Sequence, residues 1–327
     1  MAGLSDRRSL TTTKITQLRD RLRTAETIAA EKACVYATGS FGRCEASEHS
    51  DLDLFILGKN DDKGVRLLTH LDEICVKADL IEVSKEFNFP PFSQDGRYLT
   101  HYSVSDLIKT LGTPEDDATN TLTARLLLLL ESRPLLGDGV YKAALEDVVA
   151  AYWRDYEDHK NDFMPAFLTN DILRLWRTFC VNYEERTKRE PDTEKAKGKI
   201  KNYKLKHSRL LTCYSAILYL LAVYGDAGTV SPQDALAMIA LTPTERLEWL
   251  CNQPQLIDAH DTVSRLLRQY ETFLETTSAP ESELLISFVH QEKSKEYMDA
   301  AYAFGDSVFD TLNRIGKESR FHRLLVV

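Results

Sequence analysis

The spacing of hydrophobic residues changes character along the chain. Between Ser9 and Lys32, Leu10, Ile15, Leu18 and Leu22 recur at helical intervals with basic residues between them, which predicts an amphipathic helix. The apolar run Ala33-Cys-Val-Tyr-Ala-Thr38 then breaks into Gly39-Ser-Phe-Gly-Arg43, the form of a strand that ends in a tight turn and a helix start. Shortly after, Asp51, Asp53 and Phe55 alternate with Leu52, Leu54 and Ile56, so a period-two strand sets both carboxylates on one face. A polar turn over Gly58–Gly64 follows, and Val65, Leu68, Leu71 and Ile74 return to the helical interval. Ala78-Asp-Leu-Ile-Glu-Val83 reads as a further strand. This order predicts a small α/β unit with a mixed sheet.

From Asn88 the composition shifts. Asn88-Phe-Pro-Pro-Phe-Ser-Gln-Asp-Gly-Arg97 reads as an irregular linker with a turn at Asp95-Gly96, and the chain beyond it is nearly all helical. Ser103-Val-Ser-Asp106, Thr113-Pro-Glu-Asp116, Ser231-Pro-Gln-Asp234 and Thr242-Pro-Thr-Glu245 each set a hydroxyl at an N-cap with a carboxylate three residues on. Helices are expected over 103–111, 116–131, 142–156, 170–186, 195–224, 232–240, 243–251, 257–276 and 280–315. The expected fold class is α+β: a small mixed-sheet domain over residues 1–100, followed by a larger all-α domain over 101–327.

Composition fits this picture. The 327 residues are 43% hydrophobic and 28% charged, enough to bury a substantial core. No apolar run is read as long enough for a membrane span, and the N-terminus lacks an apolar signal core, so a cytoplasmic protein is expected. The six cysteines show neither a Cys-x-x-Cys nor a histidine pairing, so no zinc site and no disulfide framework is expected. Charge is uneven: from Arg186 to Arg209 ten basic residues stand against three acidic ones, a surplus of seven that leaves −16 for the rest of a chain whose net charge is −9. That contrast marks one anion-attracting region in an otherwise acidic chain.

The chemistry gathers at the first two strands. Gly39 has no Cβ to hold the backbone away from an anion, Ser40 offers a hydroxyl, and a helix start presents N–H groups to a phosphate. Two carboxylates two residues apart on a strand suit a hard cation such as Mg²⁺ that keeps positions for substrate phosphates. Joined at this spacing, the two halves resemble the signature of the DNA polymerase β-like nucleotidyltransferases, a Gly-Ser followed by a strand carrying Asp-x-Asp. The resemblance implies that Gly39 and Ser40 bind a triphosphate and that Asp51 and Asp53 bind Mg²⁺ or Mn²⁺. It further implies a third metal-binding carboxylate on a neighbouring strand, for which Asp79 is favoured over Glu82, and a basic residue after the turn, Arg43. It also implies that the helical domain completes the nucleotide cleft with lysines, for which Lys201, Lys204 and Lys206 are the candidates.

The segment Glu131-Ser-Arg-Pro-Leu-Leu-Gly-Asp138 is similar to one in the PII uridylyltransferase-like branch, though its residues also read as a helix end closed by Pro134 and Gly137. The implied activity is transfer of a nucleoside monophosphate from a nucleoside triphosphate to an acceptor hydroxyl, by two metals and with pyrophosphate released. The acidic balance favours a protein or small-molecule acceptor over long RNA. A catalytically silent nucleotide-binding or partner-binding protein is the alternative.

Overall fold

The computed structural model describes residues 3–92, 96, 99–186, 192–317 and 319–325. The chain divides into two compact units, Ala2–Arg154 and Asp155–Val327. The first holds α1 (Leu4–Arg21), α2 (Arg23–Ala29), β1 (Ala33–Thr38), the single turn α3 (Gly39–Gly42), β2 (Asp53–Gly58), α4 (His70–Glu86), β3 (His101–Ser103), α5 (Val104–Lys109), α6 (Glu115–Ala118), α7 (Thr121–Leu130), β4 (Arg133–Leu136) and α8 (Asp138–Tyr152). The strands form one sheet in the order β3-β2-β1-β4, with β1 antiparallel to both neighbours and β3 parallel to β2. The fold is α+β, as the sequence predicts.

Both faces of the sheet are covered, which is why β1 is buried at every position. On one face Leu18, Leu22, Ala25, Val35, Ala37, Leu54, Ile56, Val76, Leu80 and Val83 form a single apolar core. On the other, Tyr36 stacks on Phe55 at 5.5 Å between ring centroids, and Phe55 lies 6.0 Å from Tyr102. The Tyr36 hydroxyl donates to the Ala124 carbonyl in α7. Because side chains alternate along a strand, Thr38 and Asp53 share the face of Tyr36 and Phe55.

Two expectations are corrected here. The run Ala78–Val83 is not a strand but part of α4, whose N-cap Thr69 accepts from the Asp72 N–H and whose buried positions Val76, Leu80 and Val83 keep the helical interval. The boundary expected after residue 100 falls at 154/155, because β3 and β4 complete the sheet from further along the chain. Of the expected Asp95-Gly96 turn, Asp95 lies outside the described residues.

The regular structure of the second unit's described residues is all helical: 3-10 turns at Tyr156–His159 and Pro254–Ala259, α9 (Ala166–Arg186), α10 (Asp192–Lys204), a π turn (Leu205–Arg209), α11 (Leu210–Ala227), α12 (Pro232–Ala240), α13 (Pro243–Cys251), α14 (His260–Thr276), α15 (Glu281–Val289), α16 (Gln291–Gly316) and α17 (Arg320–Leu324). The capping boxes at Ser231 and Thr242 set the starts of α12 and α13 where the sequence places them. The helical run Glu194–Ala227 is, by length and composition, apolar enough to cross a membrane, contrary to the sequence expectation. In this fold 67% of its apolar window is buried inside the protein, since α11 is the unit's central helix.

Candidate functional site

The site begins where β1 ends. Thr38 pairs across the sheet with Asp53, so the turn that follows Thr38 and the first residue of β2 are set side by side by strand register alone. Gly39 adopts φ +64°, and a Cβ there would lie 2.7 Å from Asp53 Oδ2, so only glycine lets the carboxylate close over the turn. Asp53 is half-buried, whereas Asp51, two residues ahead of it, is exposed. The Ser40 hydroxyl is buried and makes no hydrogen bond. A buried hydroxyl without a partner carries a desolvation cost that a bound polar ligand would relieve.

Behind the turn lies a layer of charge. The Gly39 N–H donates to Glu131 Oε1 at 3.2 Å, and Arg43 donates to Glu131 Oε2 and to Glu45 Oε2, each at 2.9 Å. The Glu45 N–H donates to the Ser40 carbonyl at 2.8 Å, and Arg7 donates to the Glu45 carbonyl at 2.7 Å. Gly42 packs against the backbone of Glu131, where a Cβ would meet the carbonyl oxygen at 2.0 Å.

Chain order places the other expected residues elsewhere. Asp79 sits in α4, and its Oδ2 accepts the Ala25 N–H at the start of α2, so it closes a helix end instead of joining the acid pair. Glu82 is exposed on the same helix. The strand beside β2 is His101-Tyr-Ser103 and carries no acid. Among the described residues no group of three or more His, Cys, Asp or Glu is placed to hold a metal ion. Arg43, expected at a phosphate, is buried between two carboxylates.

Lys201, Lys204 and Lys206 belong to the helical unit. Lys201 and Lys204 are exposed one turn apart on α10, while Lys206 lies 3.7 Å from the centre of the Tyr302 ring, a cation–π contact. Tyr203 is buried among Phe273, Phe288 and Tyr297, and burial pushes its hydroxyl up to about 12. α9 starts at Ala166, ahead of the expected start at residue 170, so Asn170 and Asp171 are interior helical residues; Asp171 is buried, 3.7 Å from Arg174.

Residues 15–94, which run from α1 through both acids and the Gly39-Ser40 turn, match the family model described as a nucleotidyltransferase domain. Over that stretch the chain is similar to nucleotidyltransferase domains. The match is consistent with a nucleotidyltransferase of the polymerase β-like type. The match stops short of β3 and β4, which complete this domain's sheet, and it does not distinguish the PII uridylyltransferase-like branch. No curated protein and no solved structure matches the chain.

Asp51 and Asp53 are oxygen donors of the kind a hard divalent cation takes, and one of them closes over a turn with an orphaned hydroxyl. Among the described residues no third carboxylate joins these two, although the resemblance implies one for a second cation. Sequence reasoning missed Glu131 as a partner of the turn, because the contact spans 92 residues and no local pattern announces it.

Proposed function

We propose that the chain transfers a nucleoside monophosphate from a nucleoside triphosphate to an acceptor hydroxyl. The acceptor oxygen attacks the α-phosphorus, the bond from that phosphorus to the bridging oxygen breaks, pyrophosphate leaves, and the hydroxyl proton passes to solvent. The observation that carries this reading is the Ser40 hydroxyl, buried and unpaired on a turn over which Asp53 closes. Ser40 donates to the terminal phosphates, and Asp51 and Asp53 hold the divalent cation that accompanies them. That Mg²⁺ or Mn²⁺, when bound, neutralises phosphate charge and orients the leaving group. Positioning and charge neutralisation provide most of the catalysis in such a transfer. The acid balance of the chain favours a protein or small-molecule acceptor.

The missing third carboxylate favours a second reading, a nucleotide-binding protein without turnover. One experiment separates the two. The pure chain is incubated with each of four labelled nucleoside triphosphates, Mg²⁺ or Mn²⁺ and a cell extract, and the destination of the label is followed. Transfer is expected in the wild type and lost in the double variant Asp51→Asn, Asp53→Asn. That variant should melt at an equal or higher temperature, because two close like charges are removed. Tight binding with no labelled product selects the silent reading.

A further inference from the structure

The Glu131 segment is a motif of the sequence that the proposed chemistry leaves unused. Its carboxylate is buried, yet both of its oxygens face the nucleotidyltransferase turn: one accepts from the Gly39 N–H and the other from Arg43. Arg43 is in turn held by Glu45, whose own N–H donates to the Ser40 carbonyl. The turn is therefore gripped at its first residue by a side chain, at its second through the backbone, and just beyond its end by a guanidinium fork. Gly42 lets the Glu131 backbone approach closely, so the grip cannot slide without moving the chain.

A buried ion pair is weak support for stability, since desolvation offsets most of the attraction; fixing one conformation is the use that survives this cost. Here the conformation fixed is the one that leaves the Ser40 hydroxyl orphaned on the turn over which Asp53 closes. It also has a consequence for the ligand: the Gly39 N–H is already engaged by a carboxylate, so recognition of phosphate at this turn falls on Ser40.

We propose that Glu131 is a positioning residue, which acts through Arg43 and the Gly39 N–H to hold Ser40 in its triphosphate-binding orientation. The inference rests on the reading given above, and its test is chosen so that the two can fail separately. Binding of each nucleoside triphosphate with Mg²⁺, and of the matching monophosphate, is measured by calorimetry on the full chain. The proteins compared are the wild type, Ser40→Ala, Glu131→Gln and the double variant, with melting temperatures as a check on folding. The amide of Glu131→Gln keeps an oxygen for the Gly39 N–H but turns a donor towards Arg43, so the fork is lost while the volume is kept.

Each single change is expected to weaken triphosphate binding roughly tenfold or more and monophosphate binding little. The double variant should lose less than the product of the two, because a serine already out of position has little left to contribute. If Ser40→Ala weakens binding while Glu131→Gln does not, or if the two effects multiply, Glu131 is an ordinary buried residue and the proposal is overturned with the function intact. If Ser40→Ala leaves triphosphate affinity unchanged, or no triphosphate binds, the functional reading fails and takes the proposal with it. Should Glu131→Gln fail to fold, Arg43→Lys keeps the charge, removes the fork and is expected to show the same non-multiplicative loss with Ser40→Ala.

Discussion

Two glycines flank the turn for different reasons, and substitution should separate them. Gly39→Ala meets a left-handed backbone and the end of a side chain, Asp53 Oδ2, which can swing aside. The expected cost is about 1–2 kcal/mol of stability, with Asp53 displaced and nucleotide transfer lost. Gly42→Ala meets backbone oxygens of Glu131 and Ala37, which cannot move without the end of α7 and strand β1. It should cost more, about 3 kcal/mol or beyond. Denaturant titration of both variants checks the order; a milder effect at Gly42 would mean the turn is looser than described.

His207 offers a pH test in the other unit. Its ring lies between Phe273 and Phe304, and its Nδ1–H donates to the Tyr203 carbonyl at 2.9 Å. Burial lowers its pKa to about 4 from an ordinary 6.5, with the carbonyl opposing. The unfolded chain therefore takes up a proton near pH 6.5 that the folded chain refuses until about pH 4, so stability falls as pH drops through that window. The loss by pH 5 should be about 2 kcal/mol, and His207→Gln should flatten it. Equal pH dependence in the variant and the wild type would count against a neutral buried imidazole.

At the scale of elements, four helix starts share the same lettering and only three behave alike. Ser103, Ser231 and Thr242 accept from the N–H three residues on, whereas the Thr113 hydroxyl donates to the Thr110 carbonyl. The reason is Asp116, drawn out of a capping role into a fully buried pair with Arg125 at 2.7 Å. Thr242→Ala should thus cost about 1 kcal/mol and Thr113→Ala about half that or less, measured by thermal melts.

The same contrast explains what could be read in advance. The strands β1 and β2, the Gly39-Ser40 turn and the starts of α12 and α13 were legible, because each is set by residues within a few positions of itself. The third acid was misread because six residues, Ala78–Val83, resemble a strand. The longer window shows Val76, Leu80 and Val83 at helical spacing behind the Thr69 cap. β3 is three residues long and β4 four, too short for any period to declare itself, and both exist only because β1 and β2 offer edges to pair with.

For the whole molecule, the extent of the sheet decides where the chain can be divided. A fragment of residues 1–100 would lose β3 and β4 and leave β1 and β2 with bare edges, the condition that invites aggregation. A fragment of residues 1–154 keeps all four strands together with α7 and α8 over the aromatic face. The shorter piece should be insoluble and the longer one should melt cooperatively, as circular dichroism of both would reveal. The second unit bears on a different kind of question, how this chain is to be lined up against others. The π turn at Leu205–Arg209 amounts to one surplus residue inside a run that is otherwise α-helical, and one residue turns a helix by about 100°. A helical wheel carried through from Lys201 to Leu220 in one phase therefore assigns its far half to the wrong sides. An alignment to a relative with an uninterrupted helix needs a one-residue gap here, and without it the lysines upstream will be compared with positions that never shared their face.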